Sequence, residues 1–116
     1  IKPGEAVISG GHDLPNKHVI HCLGPIYGVD HPEDKLLADC YRNALKLAEE
    51  NEVDSIAFPA ISAGAFGYPL EAATDVALES IKEMASTLKQ VKTIRFVLFG
   101  KSDYEVYEER LKNLGK

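Results

Sequence analysis

Residues 55–61 (SIAFPAI) form an almost unbroken apolar run, and its position between two amphipathic helical patterns constrains the fold most. A strand apolar on both faces has no solvent side, so it belongs inside a parallel sheet that helices cover. Before it, residues 33–51 carry Leu36, Leu37, Cys40, Tyr41, Ala44, Leu45 and Ala48 at helical spacing. After it, residues 70–88 carry Ala73, Ala77, Ile81, Met84 and Leu88 in the same way. A further strand is predicted over 93–99 (TIRFVLF) and a last helix over 103–113. Ser102 and Glu105 fit a capping box for that helix, with Tyr104, Tyr107, Leu111 and Leu114 as its inner face. Residues 5–9 (EAVIS) and 18–23 (HVIHCL) read as two earlier strands around the turn Gly10-Gly11-His12-Asp13. Pro59 lies inside the apolar run and forfeits a ladder hydrogen bond there. The order β-β-α-β-α-β-α predicts an α/β fold with a parallel-rich sheet and right-handed crossovers.

In such sheets ligands bind beyond the carboxyl ends of the strands. Three unusual segments fall there: Gly24-Pro25-Ile26-Tyr27, residues 62–69 (SAGAFGYP) and residues 99–103 (FGKSD). Gly64 and Gly67 permit positive φ and close backbone approach, and the segment leads into a helix. Several N–H groups can then converge on an anion. Spacing alone leaves both a plain strand-to-helix turn and an anion cradle open, because neither GxGxxG nor a P-loop pattern is present. A nucleophilic Ser62 is disfavoured: the helix starts well after it, and all four histidines precede it. Phe99, at a strand end, reads either as plain core or as a stacking platform for a planar ring, the latter favoured because Gly100-Lys101-Ser102 keeps the edge open.

The 116 residues suit one domain. The net charge of −5 argues against a surface that coats nucleic acid, but backbone amides bind one phosphorylated molecule without lysines. His18 and His21 face opposite sides of their strand while His12 and His31 sit in separate loops, so no metal site is expected. His21 reads as a hydrogen-bonded core residue. No cofactor is called for, and no run reaches the length of a membrane span. Cys22 and Cys40 have neither CxxC nor metal-ligand spacing and read as two buried thiols of a reducing, cytoplasmic compartment. The chain starts without an initiator methionine, as expected of a piece of a longer protein.

Two stretches together resemble the macrodomain family. One is Gly4-Glu5-Ala6-Val7-Ile8 with residues 14–25 (LPNKHVIHCLGP); the other is residues 55–69 (SIAFPAISAGAFGYP). With their spacing they cover most of the chain. The resemblance implies a three-layer α/β/α fold, a mixed sheet with parallel central strands, and ADP-ribose or a mono-ADP-ribosylated protein as partner. Many members hydrolyse ADP-ribosyl derivatives; the alternatives for this chain are a non-catalytic reader of ADP-ribose and a structural fragment without activity. By resemblance, Ser62, Ala63, Gly64, Ala65, Phe66 and Gly67 wrap the diphosphate and distal ribose. Phe66 lies on that ribose, Phe99 lies beside the adenine, and Gly24 and Pro25 line the cleft floor. A macrodomain normally begins with about sixty further residues, within the usual size of one domain. Those carry an acidic adenine reader, an Asn-rich strand and a first glycine-rich loop, so no catalytic residue is assigned here. Without the family's first strands, an apolar strand edge is expected to be exposed. The expectation is that another segment of the gene, a second chain or self-association completes the sheet.

Overall fold

The computed structural model describes residues 1–10, 18–64, 66–98 and 100–114. Strands β1 (Ala6–Gly10) and β2 (His18–Cys22) precede helix α1 (Glu33–Glu50). Strand β3 (Ser55–Phe58), helix α2 (Leu70–Ala85), strand β4 (Thr93–Phe96) and helix α3 (Lys101–Leu114) complete the order expected from the sequence. β1 pairs with β2 antiparallel, Ala6 opposite Cys22 and Ile8 opposite Ile20. β3 pairs with β4 in parallel, Ile56 opposite Ile94 and Phe58 opposite Phe96. Among the described residues these are two separate two-stranded sheets.

One core joins them. Leu37, Tyr41, Ala44, Leu45 and Ala48 of α1 are buried at helical spacing, as the stripe predicts. Ala73 and Ala77 of α2 join Phe58, Ile61 and Tyr68 in the same cluster. A file of rings runs through it: Tyr41 to Phe58 at 5.0 Å, Phe58 to Phe96 at 6.1 Å and Phe96 to Tyr107 at 4.7 Å. These contacts put α1 and α3 on the same side of the β3–β4 pair, an α/β arrangement with parallel strands against helices.

The other face of β3 departs from the expectation of burial on both sides. Ala57 is exposed, as are Arg95 and Val97. No element among the described residues covers them. Strand ends are also shorter than the apolar runs. β3 stops at Phe58 because Pro59 brings no N–H. The parallel pairing extends by one more bond, from Val97 N–H to Phe58 O at 2.8 Å.

Helix ends show their local causes. α1 closes with a Schellman motif: Glu52 takes φ +57°, and Val53 N–H donates to Ala48 O at 2.9 Å. α2 stops at Ala85, short of residue 88, because Thr87 bonds the Met84 carbonyl through both its N–H (2.9 Å) and its Oγ1 (2.7 Å). α3 starts at Lys101, which puts Ser102 inside the helix and removes the capping box. Its inner face is narrower than the spacing suggests. Tyr107 is buried, while Tyr104 and Leu111 are more than 45 % exposed; the Leu114 side chain lies outside the described residues.

Candidate functional site

The carboxyl ends of β2 and β3 face each other across a cavity of about 470 Å³. Its walls include His21 and Cys22 of β2 with Gly24 just after it, and Pro59, Ser62, Gly64 and Phe66 after β3. Two of the three unusual segments therefore meet at one place. A larger groove of about 740 Å³ lies among the helices, but charged side chains dominate its lining. Several are already ion-paired, Arg42 with Glu83 at 3.1 Å and Arg110 with Asp75 at 2.8 Å.

The loop after β3 is built by its own backbone. Ser62 holds φ +65° and Gly67 φ +76°; Gly64, expected to share that role, is not among the left-handed residues. Tyr68 N–H donates to Ser62 O and Gly67 N–H to Gly64 O, each at 3.0 Å, which folds the segment back on itself. A Cβ on Gly64 or Gly67 would meet nothing within 4 Å. Both positions open onto space that a ligand can use. Among the described residues the amides of Gly64 and Phe66 have no acceptor. They sit just ahead of α2, whose N-terminus has Pro69 as cap and no side-chain capping bond. An electropositive helix end and two unspent donors suit an anion.

The two segments are locked together. Ser62 Oγ donates to Pro25 O at 2.8 Å, and Tyr27 N–H donates to Phe66 O at 2.9 Å. Gly24 packs so closely that an added Cβ would collide with Ser62 Oγ and stand 2.6 Å from Ile61 Cγ2. Gly24 and Pro25 are both buried, so they form the rigid floor. Ser62 spends its hydroxyl on that floor, a positioning role. Behind the loop, the Tyr27 and Tyr68 rings pack at 4.9 Å, tilted by 60°. Burial, with the charges of Asp34 and Glu33 added, pushes the Tyr68 phenol above its ordinary value. It stays a neutral hydroxyl at any ordinary pH.

Of the sequence-predicted site residues, Gly24, Ser62, Gly64 and Phe66 line the cavity. Pro25 lies beneath it, and Ala63 and Gly67 shape the loop. Ala65 and Phe99 lie outside the described residues. His21 is exposed on the cavity wall instead of buried in a core, because the second sheet does not close against β2. Cys22 is half-buried, so only Cys40 is the deeply buried thiol the sequence suggests for both. Tyr27 was legible only as part of an odd strand end; nothing in the sequence signals that its amide ties the loops. Among the described residues no three His, Cys, Asp or Glu side chains stand together as metal ligands. No helix among them is long and apolar enough to cross a membrane.

Comparison with known proteins identifies the family and the fold. Residues 1–77 match the family described as Macro domain. The Macro domain-containing protein TTE0995 of Caldanaerobacter subterraneus subsp. tengcongensis is 47% identical over 114 residues, 97% of this chain and 65% of that protein. The human ADP-ribose glycohydrolase MACROD2 is 43% identical over 113 residues, 93% of this chain and 26% of that protein. A variant of the Oceanobacillus iheyensis macrodomain, solved with ADP-ribose, superposes with a TM-score of 0.90 at 40% identity, covering 98% of this chain and 61% of that one. The chain thus spans less than two thirds of each of these relatives. The matched stretch covers β1 through the first half of α2, including both walls of the cavity, and the chain belongs to the Macro domain family.

Proposed function

We propose that this chain binds ADP-ribose at the cavity between β2 and β3, and that residues 1–116 act as one domain in doing so. The observation that carries the reading is the loop after β3. Its left-handed Ser62 and Gly67 bend the backbone so that the Gly64 and Phe66 amides remain available beside the N-terminus of α2. Those donors suit the diphosphate, which needs no lysine when amides and a helix end supply the positive potential. Phe66 supplies an apolar face for the distal ribose, with Ala63 and Ala65 completing the loop. Phe99 is assigned to the adenine side, and Gly24 and Pro25 to the floor. The relative's name, ADP-ribose glycohydrolase, and the ADP-ribose in the solved neighbour support this ligand.

The reaction class proposed for the whole protein is hydrolysis of an ADP-ribosyl or ADP-ribose-phosphate derivative. The residues here bind and orient: amides hold the diphosphate, and the Ser62–Pro25 bond keeps the loop at a fixed height above the floor. No catalytic residue is assigned to this chain. The rival reading is a module that recognises ADP-ribose without turning it over.

Titration calorimetry with ADP-ribose tests binding. Gly64→Glu is expected to abolish it, because the new carboxylate fills open space beside the diphosphate and repels it. Undiminished affinity of that variant would refute the loop assignment. Release of ADP-ribose from a modified peptide by the whole protein separates hydrolase from reader.

A further inference from the structure

Cys22 and Cys40 stand 18 positions apart in sequence, and the fold brings them together. Cys22 ends β2 and shares its inward face with Ile20. It is half-buried and lines the cavity described above. Cys40 is fully buried on α1, directly behind it. Cys40 Sγ donates to the carbonyl of Leu23, the residue after Cys22, at 3.1 Å. That bond places the Cys40 sulfur beside the end of β2, one residue from Cys22.

The two thiols are unequal. The neighbouring Cys40 thiol lowers the Cys22 thiol from its ordinary value, and outweighs the burial that opposes it. The Cys22 neighbour, with burial added, pushes the Cys40 thiol far up. The cavity-lining sulfur is therefore the better nucleophile, and the buried one is held in reserve within reach of it.

We propose that Cys22 and Cys40 form a redox-modification site. A small hydroperoxide oxidises Cys22, and Cys40 resolves it to an intramolecular disulfide that ties the end of β2 to α1. In the first step the Cys22 thiolate attacks one peroxide oxygen. An S–O bond forms, the O–O bond breaks, and the leaving oxygen takes up the proton that the thiol had released. Cys22 is now a sulfenic acid and the hydroperoxide has been reduced by two electrons. In the second step the Cys40 sulfur attacks the Cys22 sulfur. The S–S bond forms, the S–O bond breaks, and hydroxide leaves with the Cys40 proton as water. The Cys40 sulfur, held at the carbonyl of the residue after Cys22, closes on the Cys22 sulfur to a bond of about 2.05 Å. The link removes the Cys40 proton from the Leu23 carbonyl. It also stiffens the strand end that leads into Gly24 and Pro25.

The test treats the 116-residue chain with one equivalent of hydrogen peroxide, denatures it, and alkylates with iodoacetamide. The expected product is lighter by about 2 Da, takes no alkyl group, and reverts with dithiothreitol. Proteolysis should yield a peptide pair joined through Cys22 and Cys40. In Cys40→Ser, the sulfenic acid on Cys22 should persist and be captured by dimedone, at least tenfold more than in the parent chain. Sulfinic acid on Cys22 without a cross-link would overturn the proposal. So would an unchanged mass, disulfides only between chains, or equal dimedone capture in parent and variant.

Discussion

At the residue scale, Gly24 and Ser62 decide whether the site exists. Gly24 has no side chain because the Ser62 hydroxyl and the Ile61 side chain occupy that space. Gly24→Ala is expected to lose about 1–3 kcal/mol from overpacking, read as a lower urea midpoint. It should also weaken ADP-ribose binding, because the loop must lift away from its floor. An unchanged midpoint would contradict tight packing of Gly24 against Ser62 and Ile61. Much of this was legible: Gly24, Pro25 and the glycines of residues 62–67 stood out as chemistry at strand ends. The left-handed residue was not. Serine rarely adopts positive φ, and it does so here because its hydroxyl gains the Pro25 carbonyl and its carbonyl gains the Tyr68 amide.

At the element scale, α1 organises the core and its C-terminal end carries two tests. Glu52 holds φ +57° with a Cβ in the left-handed region, where glycine is strain-free. Glu52→Gly should stabilise the chain by about 1 kcal/mol, seen as a higher melting temperature. A lower one would show that the unfolded chain gains more entropy from glycine than the native state loses in strain. Glu49 ties the helix to the segment before β4, accepting from the Gln90 and Val91 amides at 2.7 and 2.8 Å. The Val91 bond leads in holding its carboxyl below the ordinary value of 4.5. A depressed folded-state pKa stabilises the fold above the unfolded value and loses that contribution as pH falls through the folded one. Glu49→Gln should therefore melt lower than the parent at pH 7, with the two converging as pH drops below about 4. A gap of constant size down to pH 3 would contradict this. Element identity and order followed from periodicity, whereas the ends did not. The missing N–H of Pro59 and the two bonds from Thr87 to the Met84 carbonyl cut the elements short, and the apolar pattern by itself encodes neither end.

At the scale of the whole molecule, the described strands leave edges unspent. β2 is bonded to β1 alone and β3 to β4 alone, with the cavity between the pairs. Ala57 and Val97 add an uncovered apolar face. Open edges beside apolar surface recruit further strands. Light scattering on this chain should give a mass that rises with concentration above 12.7 kDa, and a flat value at that mass would refute it. What the sequence by itself determined was the local part: the α/β order, the buried stripe of α1, and the two segments that carry the family resemblance. Helical spacing and loop chemistry depend on near neighbours, so they are written in the chain. Only the tertiary structure decided that His21 lies exposed on a cavity wall, that the described residues cover β3 on one face alone, and that Cys40 bonds the strand end beside Cys22. Each of those depends on which distant surfaces pack together, and packing is a property of the assembled core that no local pattern contains.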